Sequence, residues 1–383
     1  MSRILFVATA GAGGDLQPLV AAALALRQRH HEVLVLGDRS VERGLAGVGL
    51  SITTLPAELD LGPTLVGAIR AAMDETAGDL AAAGPLVQQR MSDWAGSMTT
   101  PVADAIRDER PDLVVTSTFG VEVLHLLAPN RPWAVVNSTF YVGPDAPRPL
   151  EQDFGPRAIP LIERYGSLLG SADLILHATD AEFDLSFDRL PPGHHYVGPL
   201  GIWEPPSDAP SYLDQPGDPW VLASISSQMQ DDLPLAEAMI GALDGKPVRA
   251  VLTLGSDHDR SELRAEASNV RLEQVISHAA VLERGALLVS HAGHGSVMKA
   301  LWFGRPMVLV PWGRDQPGVA ARASALGVAV VVPREAASVD ALSEAVDEAL
   351  ADERMKAVCR SQSARLQATD PPADAARLLE GLL

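Results

Sequence analysis

The sequence predicts an α/β protein built as two doubly wound domains that face each other across a cleft. Short apolar runs alternate with helical patterns along the chain, the alternation restarts after a proline-rich stretch, and 383 residues exceed what one hydrophobic core usually organises.

The first half opens with Ile4-Leu5-Phe6-Val7, a buried-strand pattern, then a glycine-rich turn and a Leu/Ala helical spacing over residues 19–29. Glu32 to Leu36, Leu113 to Thr116, Ala134 to Asn137 and Leu174 to His177 read as further strands, with helical patterns such as Thr100 to Glu109 between them. Strands separated by helices imply a parallel sheet covered on both faces. The stretch 198–219 holds Pro199, Pro205, Pro206, Pro210, Pro216 and Pro219, which neither helix nor sheet interiors tolerate, and it marks a linker. Beyond it, Val221 to Ile225, Arg249 to Leu254, Leu287 to Ser290, Met307 to Val310 and Ala329 to Val332 repeat the strand pattern. Domains are expected at residues 1–200 and 219–365 with the linker at 201–218, and ligands at the carboxyl ends of the strands. The last helical pattern, Ala373 to Leu383, fits either domain.

A net charge of −19 disfavours nucleic acid and anionic membranes, but not a small anion held by backbone N–H groups. Apolar residues at 47% and charged ones at 21% are ordinary for a soluble globular chain. Arginine supplies nearly all the positive charge, with lysine only at 246, 299 and 356; with abundant alanine this reads as a high-GC bacterial coding bias. The single cysteine, Cys359, fits a reducing compartment. The apolar run from Ile4 to Ala8 is too short for a signal peptide, and no stretch approaches the ~18 residues that span a bilayer. A soluble, cytoplasmic protein is expected.

The most informative segment is Val289-Ser290-His291-Ala292-Gly293-His294-Gly295-Ser296, followed by Pro311-Trp312-Gly313-Arg314-Asp315-Gln316. Gly293 and Gly295 let a ligand approach the backbone, and the helix opening at Ser296 has N–H groups without intrahelical partners, which suits a diphosphate. Asp315 and Gln316, after the next strand, suit sugar hydroxyls. The plain alternative is a tight strand-to-helix turn with surface histidines and solvated loop residues. A zinc site on His291 and His294 lacks a third and fourth ligand nearby, so no metal site is expected. The turn Thr9 to Pro18 fails as a dinucleotide fingerprint because Leu16 stands where a third glycine is needed. Its Asp15 reads either as an ordinary helix N-cap or as a carboxylate at the cleft mouth that takes a proton from a hydroxyl. Trp94, Phe140, Tyr141 and Phe154, in stretches 61–98 and 137–157 expected to be loops, are candidates for lining an apolar pocket, with core packing as the alternative.

Together with His31-Glu32-Val33, Pro111-Asp112-Leu113-Val114-Val115 and Tyr196-Val197-Gly198-Pro199-Leu200, these segments resemble the family 1 glycosyltransferases of the two-lobed B-type fold, especially bacterial enzymes that glycosylate antibiotics. The resemblance runs through nearly the whole chain and is strongest from His291 to Gln316. It implies two Rossmann-like domains, an acceptor-binding one at 1–200 and a nucleotide-sugar-binding one at 219–365, with residues 366–383 crossing back to the first. It further implies that His291, Gly293, His294, Gly295 and Ser296 hold the donor diphosphate, that Asp315 and Gln316 bind the sugar, and that Val275 packs on the base. The loop Ser224 to Gln228 stands where relatives have a glycine-containing loop, so the Ser226 hydroxyl either reaches the diphosphate or caps its turn. Asp15 stands where many relatives carry a His, and some an Asp, as general base. Val275-Ile276-Ser277-His278 departs from the usual aromatic-containing segment, which leaves the base open between thymine and uracil. The expected activity is inverting transfer of a sugar from a TDP- or UDP-sugar to a small natural-product acceptor, with no cofactor or metal; a homodimer is left open. A non-catalytic sugar-nucleotide-binding partner and a sugar-nucleotide epimerase are the alternatives.

Overall fold

The computed structural model describes residues 1–9, 13–77, 79–143, 145–155, 159–205, 209–227, 230–255 and 258–383. Within them the chain forms two wholly parallel sheets. The first contains β1 (Arg3–Ala8), β2 (Glu32–Gly37), β3 (Ser51–Thr54), β4 (Leu113–Ser117), β5 (Trp133–Asn137), β6 (Leu174–His177) and β7 (His194–Tyr196), in the spatial order 3-2-1-4-5-6-7. The second contains β8 (Trp220–Ser224), β9 (Arg249–Thr253), β10 (Val270–Glu273), β11 (Gly285–Ser290), β12 (Met307–Leu309) and β13 (Ala329–Val331), in the order 10-9-8-11-12-13.

Side-chain alternation along β1 feeds two cores at once. Ile4, Phe6 and Ala8 point to the face covered by α1 (Leu16–Gln28), while Leu5 and Val7 point to the face covered by α4 (Leu80–Glu109) and α5 (Val121–Leu127). The alanines of α1, at 21–23 and 25, leave little side-chain bulk between helix and sheet. Each fully buried Leu, Ile, Val or Phe in such a layer contributes about 1.5–3 kcal/mol, which is why a both-faces-covered sheet can be written as unbroken apolar runs.

The strands missing from the sequence expectation are β3, β7 and β10. All are only partly buried, and Ser-Ile-Thr-Thr, His-His-Tyr and Val-Arg-Leu-Glu carry no continuous apolar run. Each lies at a sheet edge, where one side faces solvent and the apolar requirement relaxes. The stretch expected as loops between 61 and 98 is helical: α3 (Leu61–Glu75) packs on α4, which runs through Pro85 and Pro101.

The lobes are stitched together repeatedly. Leu200 to Ile202 form a 3-10 turn packed on α1 and on α10 (His294–Trp302), and Leu213 enters the second core, where Trp220 Nε1 donates to its carbonyl over 3.1 Å. After α12 (Val339–Ala351) and α13 (Glu353–Gln367), α14 (Pro371–Glu380) returns to α1 and places Ala375, Ala376 and Leu379 in the first lobe's core. Glu380 fixes that return by pairing with Arg29 at 2.6 Å and His31 at 3.0 Å. Among the described residues no helix is long and apolar enough to cross a membrane.

Candidate active site

In a sheet whose strand order reverses about its first strand, the crevice opens where β1 and β4, or β8 and β11, send their chains to opposite faces. Both crevices face one cavity of about 1430 Å³. Asp15, Thr118 and Ser138 reach it from the first lobe, after β1, β4 and β5 respectively. The second lobe supplies Ser226 after β8, Val275 after β10, His291 to Ser296 after β11, and Arg314 to Gln316 after β12.

Asp15 immediately precedes α1 yet makes no side-chain capping bond to it. Its carboxylate turns into the cavity instead, where Ser138 Oγ donates to Oδ1 and Oδ2 is buried with no hydrogen-bond partner among the described residues. Burial pushes its pKa up to about 6; the Ser138 hydroxyl opposes this, the negative charge of Asp315 adds to it, and the Thr118 hydroxyl opposes it more weakly. A solvated N-cap is thereby excluded. Residues 10–12 of the preceding turn lie outside the described residues, as does Gln228 of the second-lobe loop.

The strand and helix expected on either side of Gly293 are present, but the helix begins at His294, two residues before the expected Ser296. Gly293 is the N-cap of α10 without a side-chain cap, so the first N–H groups of the helix face the cavity. Gly293 has a steric reason as well: a Cβ there would stand 2.6 Å from His291 Nε2. His291 Nδ1 lies 3.2 Å from the Ser224 carbonyl, which selects the tautomer protonated at Nδ1 and leaves the Nε2 lone pair toward the cradle. Burial pulls its pKa down, partly offset by the Ser224 carbonyl and the charge of Asp232. His294 also lines the cavity, buried edge-on to Phe183, with its pKa lowered to about 3 by burial and by Arg322; its Nε2 has no partner among the described residues. Ser226 is buried at the same wall, its N–H donating to Asp232 Oδ2 over 2.8 Å.

Asp315 repeats the arrangement of Asp15. It precedes α11 (Gln316–Ala325) without capping it and accepts from Thr139 Oγ1 of the other lobe at 2.7 Å. Burial raises its pKa against the opposing effect of Thr139. Gln316 is nearly fully engaged by its own turn: Oε1 accepts from the N–H groups of Trp312 and Gly313 at 2.8 and 2.9 Å, and Nε2 donates to Gln230 at 3.0 Å. Val275 stands 75% exposed at the cavity edge, an apolar ledge without an aromatic ring.

Two expected pocket residues are not in the pocket. Phe140 is fully buried between Phe154 and the Arg322 guanidinium, and Tyr141 is stacked on Phe187 at 5.4 Å with His177 and His194 edge-on to it. Neither contributes to the cavity wall: the chain after β5 turns the Phe140 ring toward Arg322 of the second lobe and the Tyr141 ring onto first-lobe rings, while Ser138 and Thr139 line the cavity. Trp94 and Phe154 do line it, and Leu65, Ile69, Met73 and Met91 of α3 and α4 form an apolar arm of the wall beside Trp94. Trp94 is held by an Nε1 bond to the Leu59 carbonyl at 3.0 Å.

The motif reading also missed an ionic node at the cavity wall. Lys299, one turn beyond the cradle and buried, donates to Gln17 of α1 at 2.7 Å and pairs with Glu204 of the linker at 3.0 Å. Glu204 also accepts from Ser277 Oγ at 2.5 Å. Burial would raise the Glu204 pKa, but the charges of Lys299 and His278 and its hydrogen bonds bring it below the usual value. A lysine in a chain with only three of them was the available signal.

Residues 237–382 match the family described as erythromycin biosynthesis protein CIII-like, C-terminal domain. Over 412 aligned residues, 97% of this chain and 85% of the relative, the sequence is 23% identical to demethyllactenocin mycarosyltransferase of Streptomyces fradiae. It is 30% identical over 223 residues to 4'-demethylrebeccamycin synthase of Lentzea aerocolonigenes, an alignment spanning 57% of this chain and about half, 52%, of that protein. In sequence the chain is thus similar to antibiotic glycosyltransferases. Their GT-B fold is also the fold here: the calicheamicin glycosyltransferase superposes with a TM-score of 0.72 at 20% identity, covering 100% of this chain and 98% of that one. A spinosyn rhamnosyltransferase complexed with thymidine diphosphate gives 0.71 at 17%, covering 99% and 100%. The segment matched by the family model contains the cradle and the Asp315 turn, whereas Asp15, Ser138 and Thr139 lie outside it.

Proposed function

We propose that the protein transfers a sugar, with inversion, from a thymidine or uridine diphosphate donor to a nucleophile on a small, largely apolar natural-product acceptor. The observation that carries this reading is the opposition of Asp15 Oδ2, a buried carboxylate oxygen without a partner among the described residues, to the uncapped start of α10 across one cavity. The acceptor hydroxyl gives its proton to Asp15 as its oxygen bonds to the anomeric carbon. The bond from that carbon to the diphosphate breaks on the opposite face, and the diphosphate leaves with the electron pair.

Charge grows on the leaving group as the bond breaks. The N–H groups at the start of α10, the helix dipole and His291 in its protonated form are oriented to receive it, so oriented donors do the work a metal ion would otherwise do. Asp315 holds the sugar hydroxyls and Gln316 keeps the turn around it in shape. Support for thymidine diphosphate comes from the spinosyn rhamnosyltransferase complex, and support for an apolar acceptor from the arm between α3 and α4.

Asp15→Asn is expected to reduce turnover strongly with little loss of nucleoside-diphosphate affinity, whereas His291→Ala weakens both. Equal, mild effects of the two substitutions on rate and affinity would overturn these roles.

A further inference from the structure

Ser138 and Thr139 are neighbours in sequence, directly after β5, yet their hydroxyls serve opposite lobes. Ser138 donates to Asp15 at the start of α1, and Thr139 donates to Asp315 at the start of α11 over 2.7 Å. Since neither carboxylate caps its helix, these hydroxyls set their orientation. About 3.8 Å of chain separates the two Cα atoms, so a displacement of one anchor is passed to the other. The loop is fastened from below: Asn137 Nδ2 donates to the carbonyls of Thr139 and Phe140 at 3.1 and 3.0 Å, and the Tyr141 N–H donates to Asp184 at 3.0 Å. The buried Phe140 ring beneath Arg322 holds it against the second lobe.

We propose that Ser138 and Thr139 are positioning residues that couple the sugar subsite to the base, so that a donor sugar arriving at Asp315 resets the proton affinity of Asp15. The inference rests on the reading of Asp15 as base and Asp315 as sugar ligand given above. Asp15 is faced by Ser138, by Thr118 after β4, by Tyr165 on α7 (Ile159–Leu169) and by the charge of Asp315. Asp315 is faced by Thr139, by Arg314 on its own turn and by His291 after β11, while His294 lies against the Ser138 backbone. Like charges disfavour each other's ionised form. Sugar hydroxyls donating to Asp315 disperse its charge, which lets Asp15 release its proton more readily, and the Thr139–Ser138 unit adjusts the Asp15 hydrogen bond at the same time.

The test follows the Asp15 carboxyl by carbon-13 NMR titration in the full chain, assigned with Asp15→Asn, under saturating TDP-glucose or UDP-glucose and under the matching nucleoside diphosphate. The sugar-bearing ligand is expected to lower the midpoint relative to the diphosphate alone by about half a unit or more. That difference is expected to shrink at least twofold in Thr139→Val and Ser138→Ala and to return in Thr139→Ser, a recovery that a merely structural role does not produce. An undiminished difference in Thr139→Val overturns the coupling and leaves the base assignment standing. An Asp15 that does not titrate between about pH 4 and 8 overturns the base assignment itself, and failure of both the thymidine and the uridine nucleotides to bind overturns both.

Discussion

The guanidinium carbon of Arg322 lies 3.6 Å from the centroid of the Phe140 ring, and neither residue has exposed surface. Arg322 Nε and Nη1 also reach Asp184 at 2.6 Å and Asp153 at 2.8 Å, so a helix of the second lobe is held by two carboxylates and a ring of the first. Removing the cation leaves the buried Asp184 without a cationic partner among the described residues and Asp153 with Arg148 alone, 2.8 Å from its Oδ1. Arg322→Met is therefore expected to lower stability by about 3–5 kcal/mol in urea unfolding, whereas Arg284→Met, at a part-exposed pair with Asp214, is expected to cost only about 0–1 kcal/mol. Comparable losses from the two would refute the buried clasp.

If Asp15 is the base, it must be ionised to act, and burial sets its pKa near 6. The pH profile of kcat/KM is expected to rise about tenfold per unit below that value and to level off above it. A profile flat from about pH 5 to 8 would remove Asp15 from the proton transfer.

His291 is neutral in the free protein because burial lowers its pKa, while a bound diphosphate favours the charged ring. Binding then takes up a proton, so affinity for a nucleoside diphosphate is expected to increase as pH falls. Calorimetry in buffers of different ionisation enthalpy measures that uptake. Gly293→Ala, which drives a methyl group to 2.6 Å from His291 Nε2, is expected to weaken diphosphate binding at least tenfold while leaving the affinity for the bare nucleoside nearly unchanged.

Ile69, 45% exposed on α3 at the mouth of the apolar arm, is expected to tolerate a charge without loss of fold. Ile69→Asp should change stability by no more than about 0.5 kcal/mol and leave nucleotide binding intact, yet displace an apolar fluorescent dye from the arm. Dye binding equal to that of the unaltered protein would mean that the arm is not where apolar ligands enter.

What the chain reveals as sequence follows from where the physics is local. Strands buried on both faces, such as Ile4 to Val7 or Leu287 to Ser290, must be apolar throughout and are legible, whereas β3, β7 and β10 sit at edges and are not. The cradle is legible because strand, glycines and helix start are contiguous. Arg322 with Asp153 and Asp184, Lys299 with Glu204, and Thr139 with Asp315 join residues far apart in the chain, with no spacing rule to expose them. Phe140 and Tyr141 mislead for a related reason: aromatic residues beside a strand end can face either way, and only tertiary packing, on Arg322 for Phe140 and on Phe187 for Tyr141, turns them inward. Ser138 and Thr139 did leave a trace, as hydroxyl residues directly beyond a strand end at a crevice.

The return of α14 to α1 has a consequence for how the molecule is made. Ala375, Ala376 and Leu379 join the core that Ile4 and Phe6 form beneath α1, so the α1 layer waits for residues synthesised long after it before it is sealed. Contacts that close so long a loop form late and slowly. A nascent chain halted after the second lobe would carry an unsheltered apolar strip along α1, a natural place for a chaperone to bind.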